Sequence, residues 1–425
     1  MQNMAMNLLP DEWASKLQVE VYERSPPSST SGNKWNTRVV DIRDFLNEDN
    51  YSPSFVFASK TLLEKDDPRV LDLRKQAKKY YGMPDEVWSK THWESNGFFG
   101  CAGNERKLHR TWFRFLVKKV DVLQVKNTLR NTSAISYSWL KTGFFTTWSP
   151  DGRQSILCLD CPPEVKDHIW NALQNTDTDC FQFDPYCFHP TVVNAMVAAF
   201  DESVWLLRDA VRDVEKNRHF HASTTYIRHY SEYAQELSRH VLHAWEILNV
   251  ATEVMIKMMR RHRDFMSRLD GYTEKEKEQA MELDDKLDFY HGLLFGFKCR
   301  CDSMQQRHQN EISLAQSHAV AADASAMKTI AIIGALFLPA TFVSAIFSMS
   351  FFSNGGGGSN GPSSDMSDPN SGSQGWSVLP QFWIYWAFAI PLTILAMVFL
   401  LGRELYRKLR KLGGRFKKFY QKMCS

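Results

Sequence analysis

Thr329-Ile-Ala-Ile-Ile-Gly-Ala-Leu-Phe-Leu-Pro-Ala-Thr-Phe-Val-Ser-Ala-Ile-Phe-Ser-Met-Ser-Phe-Phe352 runs for about 24 residues without a charged side chain. A helix of that length spans the ~30 Å hydrocarbon layer of a bilayer. A second uncharged run, residues 382–402, opens with Trp383, Tyr385 and Trp386, residues suited to the water–lipid boundary. Pro339 and Pro391 lie inside the two runs, where the carbonyls they free need a partner in the bundle or bound water. A buried hairpin of a soluble protein would also hide such runs. The basic stretch that follows the second one argues for membrane instead.

That stretch carries Arg403, Arg407, Lys408, Arg410, Lys411, Arg415, Lys417, Lys418 and Lys422 against the single acid Glu404. Between the runs, residues 353–381 are rich in Gly and Ser, hold Asp365 and Asp368, and contain no Lys or Arg. An excess of basic residues marks the cytosolic side. The tail is therefore expected inside and the loop outside, and two crossings return the N-terminal part to the side of the tail. Residues 1–24 show no apolar run flanked by basic residues, so no cleaved leader is expected and the N-terminal domain should lie in the cytosol.

Working outward, the formal net charge of +3 over 425 residues and the lack of a basic patch in the first two-thirds argue against a nucleic-acid partner. The eight cysteines are expected as reduced thiols in a cytosolic domain. Cys158-Leu-Asp-Cys161 has CxxC spacing, but Cys180 and Cys187 stand too far along the chain to complete a standard zinc pattern. They read as strand and turn cysteines.

Proline and glycine divide the rest. Residues 1–40 read as a variable lead-in, with Ser25-Pro-Pro-Ser-Ser-Thr-Ser-Gly32 as a loop. Residues 41–189 read as an α/β domain: strands over 111–120, 143–148 and 154–159, the last two around the turn Ser149-Pro-Asp-Gly-Arg153, and a helix over 164–173 opened by Pro162-Pro163. From Pro190 no proline occurs until Pro339. Because proline costs ~3 kcal/mol inside a helix, residues 190–272 are expected to be helical. Apolar spacing of three and four marks 192–214 and 226–265, and Asp270-Gly271 marks a turn. One helix can then run over 273–352, followed by the external loop 353–381, the second span 382–402 and the tail 403–425.

Every third and fourth residue of the first span gives Met327, Ala331, Gly334, Leu338, Thr341, Ala345 and Ser348. This seam is small or weakly polar, whereas Ile332, Phe337, Phe342, Ile346, Phe347 and Phe351 suit lipid or the second span. Small residues also let membrane helices pack closely, so periodicity leaves both meanings open. Backward, the same register meets Ala324, Val320, Ser317, Ser313, Asn310, Gln306 and Ser303. A tight coiled-coil seam needs apolar residues there; small polar ones suit lining water. The reading is a symmetric ring of such helices, narrowest at Leu338 and Met327, where apolar constrictions gate by excluding water.

The segment 327–352, together with Phe382-Trp-Ile-Tyr-Trp-Ala-Phe-Ala-Ile-Pro-Leu-Thr393, resembles the CorA magnesium-transporter family in its branch common in filamentous fungi. The match covers about the last 130 residues, and the N-terminal domain matches in its α/β-then-helix order. The resemblance implies a funnel-shaped homopentamer in a bilayer, with first spans lining the pore and second spans outside. It also implies passive flux of divalent cations, Mg²⁺ foremost, with no covalently bound cofactor. In the family a Tyr-Gly-Met-Asn sequence ends the first span and its asparagines ring the ion. Here Phe347-Ser348-Met349-Ser350 stands in that place. Ser350 offers a hydroxyl and Ser348 a carbonyl to an ion that keeps its water shell, in a wider ring.

Asp365 and Asp368 either concentrate cations at the mouth or belong to a solvated loop. The acidic start of the long helix, Glu274, Glu276, Glu278, Glu282, Asp284, Asp285 and Asp288, is by itself a solvated face. The resemblance adds a regulatory divalent-ion site, for which Asp284, Asp285 and Asp288 are the candidates. His240-Val-Leu-His243-Ala-Trp-Glu246 lacks the HExxH order and reads as surface or interface histidines. No phosphate-cradling loop, nucleophile elbow or paired-carboxylate motif appears, which argues against an enzyme. The alternative to a channel is a membrane-anchored interaction or signalling protein that keeps the scaffold without conduction. The plasma membrane is preferred to an organelle.

Overall fold

Side-chain alternation builds the sheet. The computed structural model describes residues 17–25, 35–48, 52–60, 68–103, 108–121, 135–175, 180–216, 224–268, 271–348, 383–396 and 398. Its seven strands are β1 (Gln18–Arg24), β2 (Trp35–Asp41), β3 (Ser54–Ala58), β4 (Gly97–Ala102), β5 (His109–Asp121), β6 (Ser136–Trp148) and β7 (Gln154–Leu159). They lie in the order β2-β1-β3-β7-β6-β5-β4. Only the β3–β7 pair is parallel. β5 and β6 pair from His109 opposite Trp148 to Asp121 opposite Ser136. The expected turn joins β6 to β7: Ser149 N–H donates to Arg153 O at 2.9 Å, and Gly152 takes φ +86°, a conformation glycine adopts without steric cost.

Both sheet faces are covered. Tyr22, Phe55, Phe57, Phe113, Phe115, Phe144, Ile156 and Cys158 face one core. Their neighbours Val21, Val56, Phe145, Leu157 and Leu159 face another. The period of two sends adjacent residues to opposite sides. The second core is closed by α1 (Ile42–Asn47) and α2 (Pro68–Tyr81) through Phe45, Leu73, Ala77 and Tyr81; the short α3 (Lys90–Glu94) adds Trp93. The first core is closed by α4 (Pro163–Gln174), α5 (His189–Lys216), α6 (Thr224–Met266) and the beginning of α7 (Glu274–Phe347).

α7 starts at a capping box. Thr273 N–H donates to Glu276 Oε2 at 2.8 Å, and Glu276 N–H to Thr273 Oγ1 at 3.3 Å, which satisfies two of the amides a helix start leaves open. Gly271 before it has φ +105°, in the turn read from the sequence. Along residues 283–315, Leu283, Leu287, Leu294, Cys301, Met304, His308, Ile312 and Ala315 are buried. These three- and four-residue steps make one face of the helix the wall of the domain.

Two expectations need correction. The lead-in 1–40 contains β1 and most of β2, so the sheet begins at Gln18 and not at residue 41. The reason is non-local: β1 takes its place by pairing with β3, Glu20 opposite Phe57 and Tyr22 opposite Phe55, while the Ser/Pro stretch suggested a loop. The second concerns the cysteines. Cys180 and Cys187 form a disulfide, with Cα atoms 5.7 Å apart. A single 3₁₀ turn, Cys180–Gln182, doubles the chain back and brings them together. Cys158 lies buried in β7 and Cys161 just after it, both free, as are Cys101, Cys299 and Cys301.

The chain divides into two compact units, residues 1–315 and 316–425. In the second unit the described elements are the remainder of α7 and α8 (Trp383–Ala396). α7 is the one described helix long and apolar enough to cross a membrane; α8 is a shorter apolar helix of 14 residues.

Candidate functional site

Within the second unit, the seam residues Met327, Ala331, Gly334, Leu338, Thr341, Ala345 and Ser348 are all exposed in the single chain. The buried positions of this stretch are Pro339 and Val343, roughly a third of a turn or more around the helix from the seam at 100° per residue. There α8 packs: Ala389 is buried, and Tyr385 OH donates to Ala340 O at 3.2 Å. Thr341 Oγ1 donates to Leu338 O at 3.0 Å, so its hydroxyl is satisfied within the helix. Ser348 N–H caps onto Ser344 O at 3.0 Å. An apolar groove of about 590 Å³ runs between the two helices, lined by Leu338, Pro339, Phe342, Leu392, Leu395 and Val398 among others. Met349, Ser350, Asp365 and Asp368 lie outside the described residues.

In the first unit, the earlier part of the register, Ser303, Gln306, Asn310 and Ser313, is likewise exposed, on the side of α7 turned away from its own domain, and Ser317 just beyond it is exposed too. The seam and this row are thus exposed in the single chain from Ser303 to Ser348, as are Ile330, Ile333, Phe337 and Phe342 on other faces of the apolar part.

The acidic start of α7 separates into two kinds of residue. Asp285 and Asp288 are exposed. Asp284 is engaged within its own chain: Arg263 Nε donates to its Oδ2 at 2.7 Å, and His262 Nδ1 lies 3.3 Å from its Oδ1. His262 Nε2 reaches Asp184 Oδ2 at 2.9 Å, and Asp184 and His262 are 0% and 1% exposed. Asp184 also accepts Tyr186 N–H on Oδ1 at 2.8 Å. Burial by itself would push the His262 imidazole down. The Asp184 charge and the hydrogen bonds to Asp184 and Asp284 outweigh it and hold the pKa at about 9, so His262 is an imidazolium between two carboxylates. The same bonds keep the Asp284 carboxyl below its usual range against the cost of burial. Among the described residues, no three His, Cys, Asp or Glu side chains of the chain converge to hold a metal ion.

Of the two histidines on α6, read as surface or interface residues, His243 is half-buried and His240 is buried. His240 is 3% exposed and its ring packs against Tyr137 at 5.2 Å. Lys118 Nζ lies 2.9 Å from His243 Nδ1 and over the rings of Tyr137 and Trp139, at 4.3 and 5.0 Å. Burial and the nearby Arg239 pull the Lys118 ammonium down to about 8. Replacing a buried charge by an apolar side chain of similar volume is often stabilising. A Lys118→Met variant is therefore expected to gain about 1 kcal/mol at pH 7, read as a raised thermal midpoint; a clear loss would mean the aromatic contacts outweigh desolvation.

A family model described as CorA-like Mg²⁺ transporter protein matches residues 139–403, more than half of the chain. The chain belongs to this family. CorA-like proteins are membrane proteins, and the matched region contains most of β6, β7, all the long helices and both apolar runs. Among solved structures, the complete CorA magnesium transporter from Methanocaldococcus jannaschii has the same fold: TM-score 0.51 at 10% identity, over 90% of this chain and 96% of that one. The ZntB cytoplasmic domain from Vibrio parahaemolyticus aligns with TM-score 0.42 and 7% identity over 73% of this chain and 99% of its own. The notoamide biosynthesis cluster protein M′ of Aspergillus versicolor is 24% identical over 305 residues, 67% of this chain. The alignment spans 61% of that relative's length.

Asp184 and His262 stand 78 residues apart and carry no motif. The one available signal was chemical and came from Asp184 alone, which stands among Phe181, Phe183, Tyr186 and Phe188 and needs a partner when buried; His262 lies in the charged run Arg260-Arg-His-Arg-Asp264.

Proposed function

We propose that the chain is a divalent-cation channel, with Mg²⁺ the first candidate ion, that passes ions down their gradient through a pore ringed by the α7 seam of five identical subunits. The observation that carries this reading is the small and weakly polar row Met327, Ala331, Gly334, Leu338, Thr341, Ala345 and Ser348, exposed in a CorA-like chain in which α8 bonds to Ala340 and Leu338 stands at the rim of the groove between the two helices. A lone hairpin cannot enclose water, whereas a ring of these faces can. In this proposal residues 329–352 and 382–402 are the two spans, the loop 353–381 is external and both termini are cytosolic.

Ser348, Met349 and Ser350 form the selective mouth, holding the ion through its hydration shell, since Mg²⁺ gives up water reluctantly. Asp365 and Asp368 raise the local cation concentration outside. Regulatory ion binding falls to Asp285 and Asp288, the exposed members of the acidic start, because Asp284 is already bonded to Arg263 and His262.

Purified chain reconstituted in dye-loaded liposomes should admit Mg²⁺, and its detergent particle should have the mass of five chains. A monomeric particle, or a correctly oriented pentamer that passes none of Mg²⁺, Co²⁺, Ni²⁺ or Zn²⁺, would favour the second reading. That reading is a membrane-anchored interaction protein on a CorA-like scaffold, and its support is the relative named for a biosynthesis cluster.

A further inference from the structure

Between α4 and α5 the chain folds into a tight knuckle, residues 180–188, closed by the Cys180–Cys187 disulfide. The knuckle is anchored to the sheet: Trp148 Nε1 donates to Phe181 O at 2.7 Å and Gln154 Nε2 to Pro185 O at 2.9 Å. Two groups inside the closed loop reach the start of α7. The Phe183 carbonyl accepts the Tyr272 hydroxyl at 2.8 Å, and Asp184 binds His262, whose other nitrogen meets Asp284. The aromatic rings of Phe183 and Tyr272 also meet edge to face at 5.6 Å. The disulfide thus closes the loop that supplies two polar anchors of the turn and first three turns of α7, beside the Arg263–Asp284 bond from α6.

We propose that Cys180 and Cys187 are a thiol–disulfide switch that sets how firmly the beginning of α7 is held. Closed, the disulfide keeps Asp184 and the Phe183 carbonyl at fixed spacing for His262 and Tyr272. Opened, the knuckle gains backbone freedom and the two anchors lose their common frame. In a reducing compartment the dithiol is the resting form, and disulfides there are characteristically transient or redox-sensing. The oxidant is a small-molecule disulfide such as glutathione disulfide. The thiolate of one cysteine attacks it, forming a mixed disulfide and releasing one glutathione thiolate. The other cysteine's thiolate then attacks the protein sulfur of the mixed disulfide and releases the second. Two cysteine thiols lose two protons and two electrons, and one glutathione disulfide becomes two thiols. Cys180 and Cys187 are 6% and 7% exposed, so exchange proceeds through local opening of the knuckle.

The inference needs the domain geometry alone and does not rest on conduction. The full chain in detergent would be equilibrated in glutathione buffers from reduced to oxidised, with thiol state read by alkylation and mass spectrometry. Amide hydrogen exchange would be followed over residues 272–288. The pair is expected to interconvert with the glutathione ratio, and exchange over 272–288 to be about tenfold faster in the dithiol form. A Cys180→Ser/Cys187→Ser double variant is expected to exchange like the dithiol form in both buffers; if it does not fold, the two wild-type states still decide. A pair that stays bonded in fully reduced glutathione, or stays reduced in glutathione disulfide, would overturn the switch. So would equal exchange over 272–288 in the two states.

Discussion

A Thr341→Phe variant is expected to abolish divalent-cation entry into liposomes while leaving the oligomer and its melting temperature nearly unchanged. Thr341 is exposed on the seam between Leu338 and Ala345, and its only polar duty is the bond to the Leu338 carbonyl one turn back. Removing a hydroxyl already satisfied within the helix costs little, about 1 kcal/mol or less. Adding a phenyl ring to every subunit of a symmetric ring multiplies a small change of shape by the number of subunits. It also lines a narrow passage with apolar surface, which expels water. The comparison is Ile333→Phe, a change of similar kind on an exposed position of the same helix off the seam, for which flux is expected to persist. Equal loss in both variants would indicate general damage to the span. Persistence in both would place the wall elsewhere and take support from the channel.

His262→Leu is expected to cost the folded domain about 3–5 kcal/mol, the usual penalty for breaking a buried ion pair from one side. That is a large part of the 5–15 kcal/mol by which domains are stable. The loss arises from Asp184, whose carboxylate is fully buried and keeps only the Tyr186 amide when the imidazolium is gone. An Asp184→Leu/His262→Leu pair should recover much of the loss, since replacing both partners of a buried pair with apolar groups is often close to neutral. Tryptophan fluorescence of the full chain through a thermal melt reads both. A double variant no better than the single one would show that the cost lies in packing and not in the stranded charge.

The same pair shapes the dependence of stability on pH. His262 titrates near 6.5 when unfolded and at about 9 when folded. Its contribution is therefore complete below about 6.5 and is lost as pH rises to about 9, roughly 3 kcal/mol in all. His189 and His240, buried and pushed down to about 3 and about 4, act on the other side: the unfolded chain takes protons they refuse, so stability falls as pH drops below about 6.5. Lys118, lowered to about 8, adds stability as pH rises from there towards its ordinary value. The wild type should decline in stability from about pH 6.5 to about 8 and hold level between about 8 and 9, where the two effects offset. In Lys118→Met the decline should continue to about 9; a curve that levels at 8 in both chains would assign the plateau to another group.

Much of this arrangement follows from local sequence. β7 lies over residues 154–159, α4 opens on its prolines, α5 and α6 extend the expected helices by a few residues at each end, and α7 begins one residue after Thr273. Each rests on a period, a cap or a breaker within one or two turns of chain. The row of small and weakly polar residues along α7 was legible for the same reason, because a helix repeats its faces whatever packs against it. Distance along the chain removes that legibility. Val19 and Val21 became a buried strand because β3 was there to pair with them. Cys180 met Cys187 through one 3₁₀ turn, and Asp184 met His262 across 78 residues. Lys118 and His240, polar in the sequence, were carried inside by the strand and helix they sit on. Neighbours in the chain set the long helices, the β6–β7 turn and the two apolar runs, and these the sequence carries alone. Only the tertiary structure decided which charges are buried and paired and which cysteines join, because those depend on contacts that form when distant segments pack.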